Sequence, residues 1–269
     1  MQFILYLLPA LIAMLSLGCN KDSDVTEIPY VRKYWNETAS SNYEVPVTKS
    51  AEIKAKMFLN LMTDDVFYFD ILVDSTLQDV ITGAGLYYGT ASSNGTLLAD
   101  IKPEINGRSI KGSVQLTTAQ AADMMAKPMF LNVQSKLFPQ GLVRLQLEKN
   151  IDWYADVALT GASVVPAVTT GASGKVVLRI TTDKVLHYQV MVNGTDGSDV
   201  LQETHLHAGA AGLNGTEQLK LITIATDYNR EKSAAGLSDA VLTLLKSSAC
   251  YIDVHSTAKP AGLLRGQLR

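Results

Sequence analysis

Tyr251-Ile-Asp-Val-His-Ser-Thr-Ala-Lys-Pro-Ala-Gly-Leu-Leu-Arg-Gly-Gln-Leu268 lies without a gap on Phe130-Leu-Asn-Val-Gln-Ser-Lys-Leu-Phe-Pro-Gln-Gly-Leu-Val-Arg-Leu-Gln-Leu147. Identities include Val133/Val254, Ser135/Ser256, Pro139/Pro260, Gly141/Gly262, Arg144/Arg265 and Gln146/Gln267. Two further blocks recur in the same order at nearly the same offset. Gly85 to Thr96 aligns with His205 to Thr216, and Glu44-Val-Pro-Val47 aligns with Val164-Val-Pro-Ala167. Ordered blocks at one spacing are the mark of an internal repeat.

Within each copy the periodicity is that of strands. Val176 to Thr181, Val185 to Val192 and Lys220 to Ala225 alternate apolar with polar residues and are rich in β-branched side chains. Asn94-Gly95, Asn106-Gly107, Asn193-Gly194 and Asn214-Gly215 supply tight turns. One short helix is expected per copy, around Thr118 to Met125 and Ser238 to Leu245; Ser238 is a suitable cap, and Val241, Leu244 and Leu245 share a face. The expectation is an all-β protein of two tandem β-sandwich or barrel modules, over 43–149 and 153–269, each with one short helix. The run Met124-Met125 with Met129 and Phe130 is expected in the first core.

The chain has 269 residues, 47% hydrophobic and 18% charged, with a net charge of -3, a composition suited to folded modules. No basic stripe is present, which argues against a nucleic-acid partner. Residues 1–19 differ from the rest. Phe3 to Gly18 carries no charge and ends at Ser16-Leu17-Gly18-Cys19, which resembles the lipobox of bacterial lipoproteins. Ser16 stands where an aliphatic residue is usual, and Met1-Gln2 lacks the expected basic residue. An uncleaved transmembrane anchor is the rival reading, but about 16 apolar residues containing Pro9 are short for a hydrocarbon layer of ~30 Å. The lipobox implies lipidation of Cys19 and attachment to a membrane of the bacterial cell envelope, the outer membrane being the expected one. Asn20-Lys21-Asp22-Ser23-Asp24 resembles a surface-export signal of such lipoproteins, and residues 20–42 read as a polar tether. With Cys19 lipidated, Cys250 is the only thiol left, so no disulfide can staple either module.

The second copy carries Leu159-x-Gly161-x-x-x-Val165-Pro166-x-Val168, then His205-Leu-His207 followed by Gly209, Gly212 and Gly215. It closes with Tyr251-x-x-Val254-His255-Ser256, Pro260-x-Gly262 and Arg265-Gly-Gln267. This pattern resembles the chordin (CHRD) domain. The first copy keeps Glu44-Val45-Pro46 but shows Gly85, Tyr87 and Gln134 where the second has histidines. The resemblance implies an extracellular module with a binding or structural role and an unidentified ligand; it implies no reaction.

Alternate strand residues share a face, so His205 and His207 project together with Glu203, and Tyr251, Asp253 and His255 do likewise. Were the two strands neighbours, three imidazoles and the carboxylate of Asp253 would converge, a donor set suited to zinc or copper. The competing reading has these histidines tied to backbone carbonyls, pinning the glycine-rich run 209–215 with no metal. His187, mid-strand, reads as a surface or half-buried residue. Arg144 and Arg265 read as structural donors inside each module. Ser256 beside His255 points to the opposite face, and no catalytic triad or phosphate loop is evident, so the expectation is a non-enzymatic binding or structural unit. The alternative is a metal-binding protein or metalloenzyme using His205, His207 and His255, since three histidines form an accepted catalytic zinc shell.

Overall fold

The computed structural model describes residues 27–47, 51–74, 79–101 and 104–269. The leader, Cys19 and the acidic stretch after it lie outside the described residues. In the first module β1 (Val31–Ser40), β2 (Lys54–Met62), β3 (Val66–Asp74), β4 (Ile81–Tyr88), β5 (Thr96–Ile101), β6 (Glu104–Asn106) and β7 (Ser109–Gln115) precede α1 (Thr118–Ala126). Then come β8 (Met129–Ser135) and β9 (Val143–Gln146). The second module repeats this with β10 (Ile151–Thr160), β11 (Ser173–Thr181), β12 (Leu186–Asn193), β13 (Leu201–Ala208), β14 (Thr216–Ile222) and β15 (Lys232–Ala234). It ends with α2 (Asp239–Ser247), β16 (Cys250–Ser256) and β17 (Leu264–Gln267). The protein is all-β with two short helices, as the periodicity implied.

Each module is one antiparallel sheet curled over its own core. The orders are β5-β4-β8-β9-β1-β2-β3-β7-β6 and β14-β13-β16-β17-β10-β11-β12-β15. The sheets turn where pairing narrows to one residue pair, Ser40 opposite Arg144 and Thr160 opposite Arg265. One half of the sheet thereby lies over the other, and apolar side chains fill the space between. Met57, Leu59, Phe67 and Ile71 face Leu86, Leu131, Val133 and Leu145 in the first core; Val176, Leu178 and Val190 face Leu206, Ile252 and Val254 in the second. Stability rests on this burial, at about 25 cal/mol for each Å² of apolar surface removed from water.

Two expectations need correction. Residues 31–40, read as part of a polar tether, form β1: Trp35 and Ala39 are its buried apolar residues, the strand is otherwise exposed or half-exposed except at Ser40, and the Trp35 indole donates to the Leu147 carbonyl at 2.8 Å. A strand with only two inward residues at its strongly buried positions gives little hydrophobic signal. Met125 is half exposed, because the capping box of Thr117 and Gln120 sets a helix phase that turns Ala121 and Met124 inward instead. Met124, Met129 and Phe130 are buried.

The first module sits on the second through its Glu44–Val47 loop. The Val47 N–H donates to Asp156 at 2.7 Å, and Arg179, fully buried, pairs with Asp156 at 2.7 Å while donating to the Glu44 carbonyl. Thr90 to Glu231 and Asn150 to Glu37, each at 2.9 Å, extend the joint. Among the described residues no helix is long and apolar enough to cross a membrane.

Candidate functional site

β13 and β16 are antiparallel neighbours, with His205 opposite Asp253 and His207 opposite Tyr251. That register brings together the four residues singled out in the sequence. One ligand atom from each of His205, His207, Asp253 and His255 lies within 4.8 Å of every other. His205 and Asp253 are buried; His207 and His255 are partly so.

Each imidazole is oriented by its outward nitrogen. His207 Nδ1 lies 3.1 Å from the Gly215 carbonyl, and His255 Nδ1 lies 2.9 Å from the Pro260 carbonyl. Donation to those carbonyls leaves the Nε2 lone pairs of His207 and His255 aimed at the cluster. His205 is turned the other way: its Nε2 meets Glu203 at 3.1 Å, and its Nδ1 stands 3.7 Å from Asp253 Oδ1. The His207 ring also stacks on Tyr251, centroids 4.9 Å apart and planes within 4°. Gly215 is held in turn, its N–H donating to the Tyr251 hydroxyl at 3.0 Å. Backbone pinning and a convergent donor set therefore occur in the same residues.

The inward atoms are left incomplete. His207 Nε2 is 3.2 Å from Asp253 Oδ2 and His255 Nε2 is 3.1 Å from Asp253 Oδ1. Yet His207 Nε2, His255 Nε2 and Asp253 Oδ1 are buried atoms without a hydrogen-bond partner. Short separations without hydrogen-bond alignment are those of groups gathered round a common point. Burial alone would raise the Asp253 carboxyl, but the imidazoles of His207 and His255 outweigh it and hold the acid well below the usual carboxylate range. Burial works against protonation of His207, and Asp253 outweighs that to raise it; Asp253 likewise raises His255.

Arg265 supports the site from behind. Its guanidinium lies 3.4 Å from the Tyr251 ring centroid and donates to the Ala210 carbonyl at 3.1 Å and to Gln267 at 3.2 Å. Arg144 holds the same place in the first module, 3.5 Å over Phe130 and donating to Thr90 at 2.7 Å and Gln146 at 2.9 Å. There the Tyr87 and Phe130 rings repeat the stack, and Gln134 donates to the Tyr87 hydroxyl at 3.0 Å. Asn132 occupies the place of Asp253 and donates to Glu44 at 3.0 Å. The repeat alignment pairs Asn132 with Asp253, a signal the sequence reading passed over. His187, on β12, is half-buried and shares a hydrogen bond with Ser233 at 3.0 Å, away from the cluster.

The chain belongs to the CHRD domain family, whose model matches it twice, over residues 36–147 and 155–268. Among curated proteins it is similar to Chordin of Danio rerio and Chordin of Xenopus laevis. Each is 27% identical over 157 residues, covering 54% of this chain and 17% of the relative. The chain thus spans less than a fifth of the length of those relatives. No solved structure matches it.

Proposed function

We propose that the protein is a lipid-anchored component of the bacterial cell envelope whose second module binds a divalent transition-metal ion, zinc or copper, in a binding or structural capacity. The observation that carries this is the gathering of buried atoms, His207 Nε2 and His255 Nε2, within 3.2 Å and 3.1 Å of the Asp253 carboxylate without an aligned hydrogen bond. His205 Nδ1 completes a set of three nitrogens and one oxygen. The Gly215 carbonyl on His207, the Pro260 carbonyl on His255 and the Glu203 carboxylate on His205 are the outer partners that fix ligand tautomers. Four ligands at ~2.0–2.1 Å stand ~3.3 Å apart, so the cluster would draw in by about 1 Å on loading. Four protein ligands leave no open position in a tetrahedral shell, which favours a structural or binding site over catalysis. The membrane attachment rests on the lipobox-like Ser16-Leu-Gly-Cys19.

The test is the metal content of the chain from residue 20 onward, which retains every described residue, purified without a histidine tag beside a His205→Ala/His207→Ala variant. Near-stoichiometric zinc or copper that the variant lacks supports the reading. A wild type still metal-free after zinc and copper are supplied ends it. For the anchor, Cys19→Ser should move the protein from the membrane to the soluble fraction; an unchanged membrane fraction would contradict lipidation at Cys19.

A further inference from the structure

The joint between the modules uses two complementary surfaces, and the chain carries a second, unused example of each. The used pair is the Glu44–Val47 loop of the first module seated on the outer face of β10 and β11 in the second. The repeat gives the second module the equivalent loop, Val164-Val165-Pro166-Ala167, in which Pro166 and Ala167 are exposed where Pro46 and Val47 are half-covered. Beside it Leu213 is 64% exposed.

The equivalent face of the first module is open as well. Strand pairing sets Phe58 at the place of Val177, Asn60 at that of Arg179, Asn36 at that of Asp156 and Tyr34 at that of Tyr154. Val177 and Arg179 are fully buried by the joint, whereas Phe58 is 48% and Tyr34 is 71% exposed, and Tyr68 and Leu72 beside them are also exposed. Among the described residues nothing covers this aromatic face.

The geometry points to a head-to-tail assembly in which the 164–167 loop of one chain docks on the β1–β2 face of a second copy, repeating the joint already built inside the chain. The occupant is a second copy because the docking loop and its receiving face are both present, each equivalent by repeat position to a surface that the joint already uses, though with different side chains. The polar anchors remain feasible after substitution: Asn60 can donate to a loop carbonyl as Arg179 does, and Asn36 can accept a loop N–H as Asp156 does. The two surfaces lie on different modules, so the contact is heterologous and propagates beyond a dimer unless rotation closes it.

Sedimentation of the chain from residue 20 onward, over a concentration series, should show growth past the dimer. Phe58→Asp blocks the face and Leu213→Asp with Ala167→Asp blocks the loop; each change is at an exposed position. Each variant alone should be monomeric, and their mixture should give a 1:1 dimer and nothing larger. An Asn36→Cys/Ala167→Cys chain should oxidise to a ladder of covalent oligomers, lost when Phe58→Asp is added, with circular dichroism confirming the fold. A wild type monomeric at every concentration overturns the proposal. So does a dimer abolished by the face variant and untouched by the loop variant, which would mean face-to-face pairing.

Discussion

Replacing Glu44 by Gln should remove a pH-dependent weakness from the first module. Glu44 is 5% exposed, and burial pushes its carboxyl from 4.5 up to about 7 against the opposing pull of Arg144, Asn132 and Arg179. Its folded value lies above its unfolded one. The associated stability is therefore fully present below pH 4.5 and is lost as pH rises towards 7, because the unfolded chain ionises while the folded one resists. Each pH unit across that interval costs ~1.4 kcal/mol, about 3 kcal/mol in all. Gln keeps the oxygen that accepts from Asn132 and cannot ionise. The variant should match the wild type near pH 4.5 and exceed it by about 3 kcal/mol at pH 8. Urea titrations in a Trp153→Phe background, read by the buried Trp35, isolate the first module. A stability difference that is flat with pH, or one in which the wild type gains on the variant as pH rises, would refute the assignment of Glu44 as a strained buried acid.

Gly141→Ala should destabilise the same module by roughly 2 kcal/mol or more, since the added methyl would stand 2.2 Å from Glu44 Oε2 and 2.6 Å from Asn132 Nδ2; thermal unfolding checks it, and an unchanged midpoint would contradict this packing. Arg265→Lys loses both the planar stack on Tyr251 and the forked bonds to Ala210 and Gln267, at a cost of about 2 kcal/mol. It should also lower metal affinity by loosening the 209–215 loop that orients His207, measurable by titration against a zinc chelator; unaltered affinity would separate Arg265 from the site. Asp253→Asn copies the first module's residue into the second and should lower that affinity at least 10-fold with the fold intact by circular dichroism, as expected for loss of the only anionic ligand. The Cys250 thiol, buried and pushed up to about 11 by that burial, should resist a thiol reagent until the second module opens. Prompt labelling of the native chain would show that β16 is not held as described.

The fold was legible where local pattern and repetition agree. The alternation in Val176 to Thr181 and the asparagine-glycine turns are local properties, and the block identities carry them from one copy to the other. The two-residue spacing also placed His205 with His207 and Asp253 with His255 on common faces. Their convergence depends on β13 lying beside β16, a pairing between segments more than forty residues apart that periodicity cannot reveal. The pinning of His207 and His255 was foreseen as a chemical habit of the imidazole, but the particular carbonyls, those of Gly215 and Pro260, were not, since backbone groups have no sequence signature. Arg179 was unreadable for a related reason. It looks like a polar residue on the solvent side of a strand, and only the neighbouring module explains why that side is buried. β1 escaped because Lys33, Asn36 and Glu37 face water and only Trp35 and Ala39 supply a buried signal.

The pairing of the first and last strands within each module has a consequence for how such chains grow. β1 enters beside β9, with Trp35 bonded to the Leu147 carbonyl, and in the second module Gly266 of β17 comes so close to Val157 and Ala158 of β10 that no side chain would fit. The doorway and the exit of each module are thus the same place. A unit built that way can be copied with only residues 147–150 between one sheet and the next, or spliced into a surface loop of an unrelated host without stretching it. Copies then diverge in the side chains they carry while the frame stays fixed, as Asn132 on β8 and Asp253 on β16 already do on opposite sides of one joint.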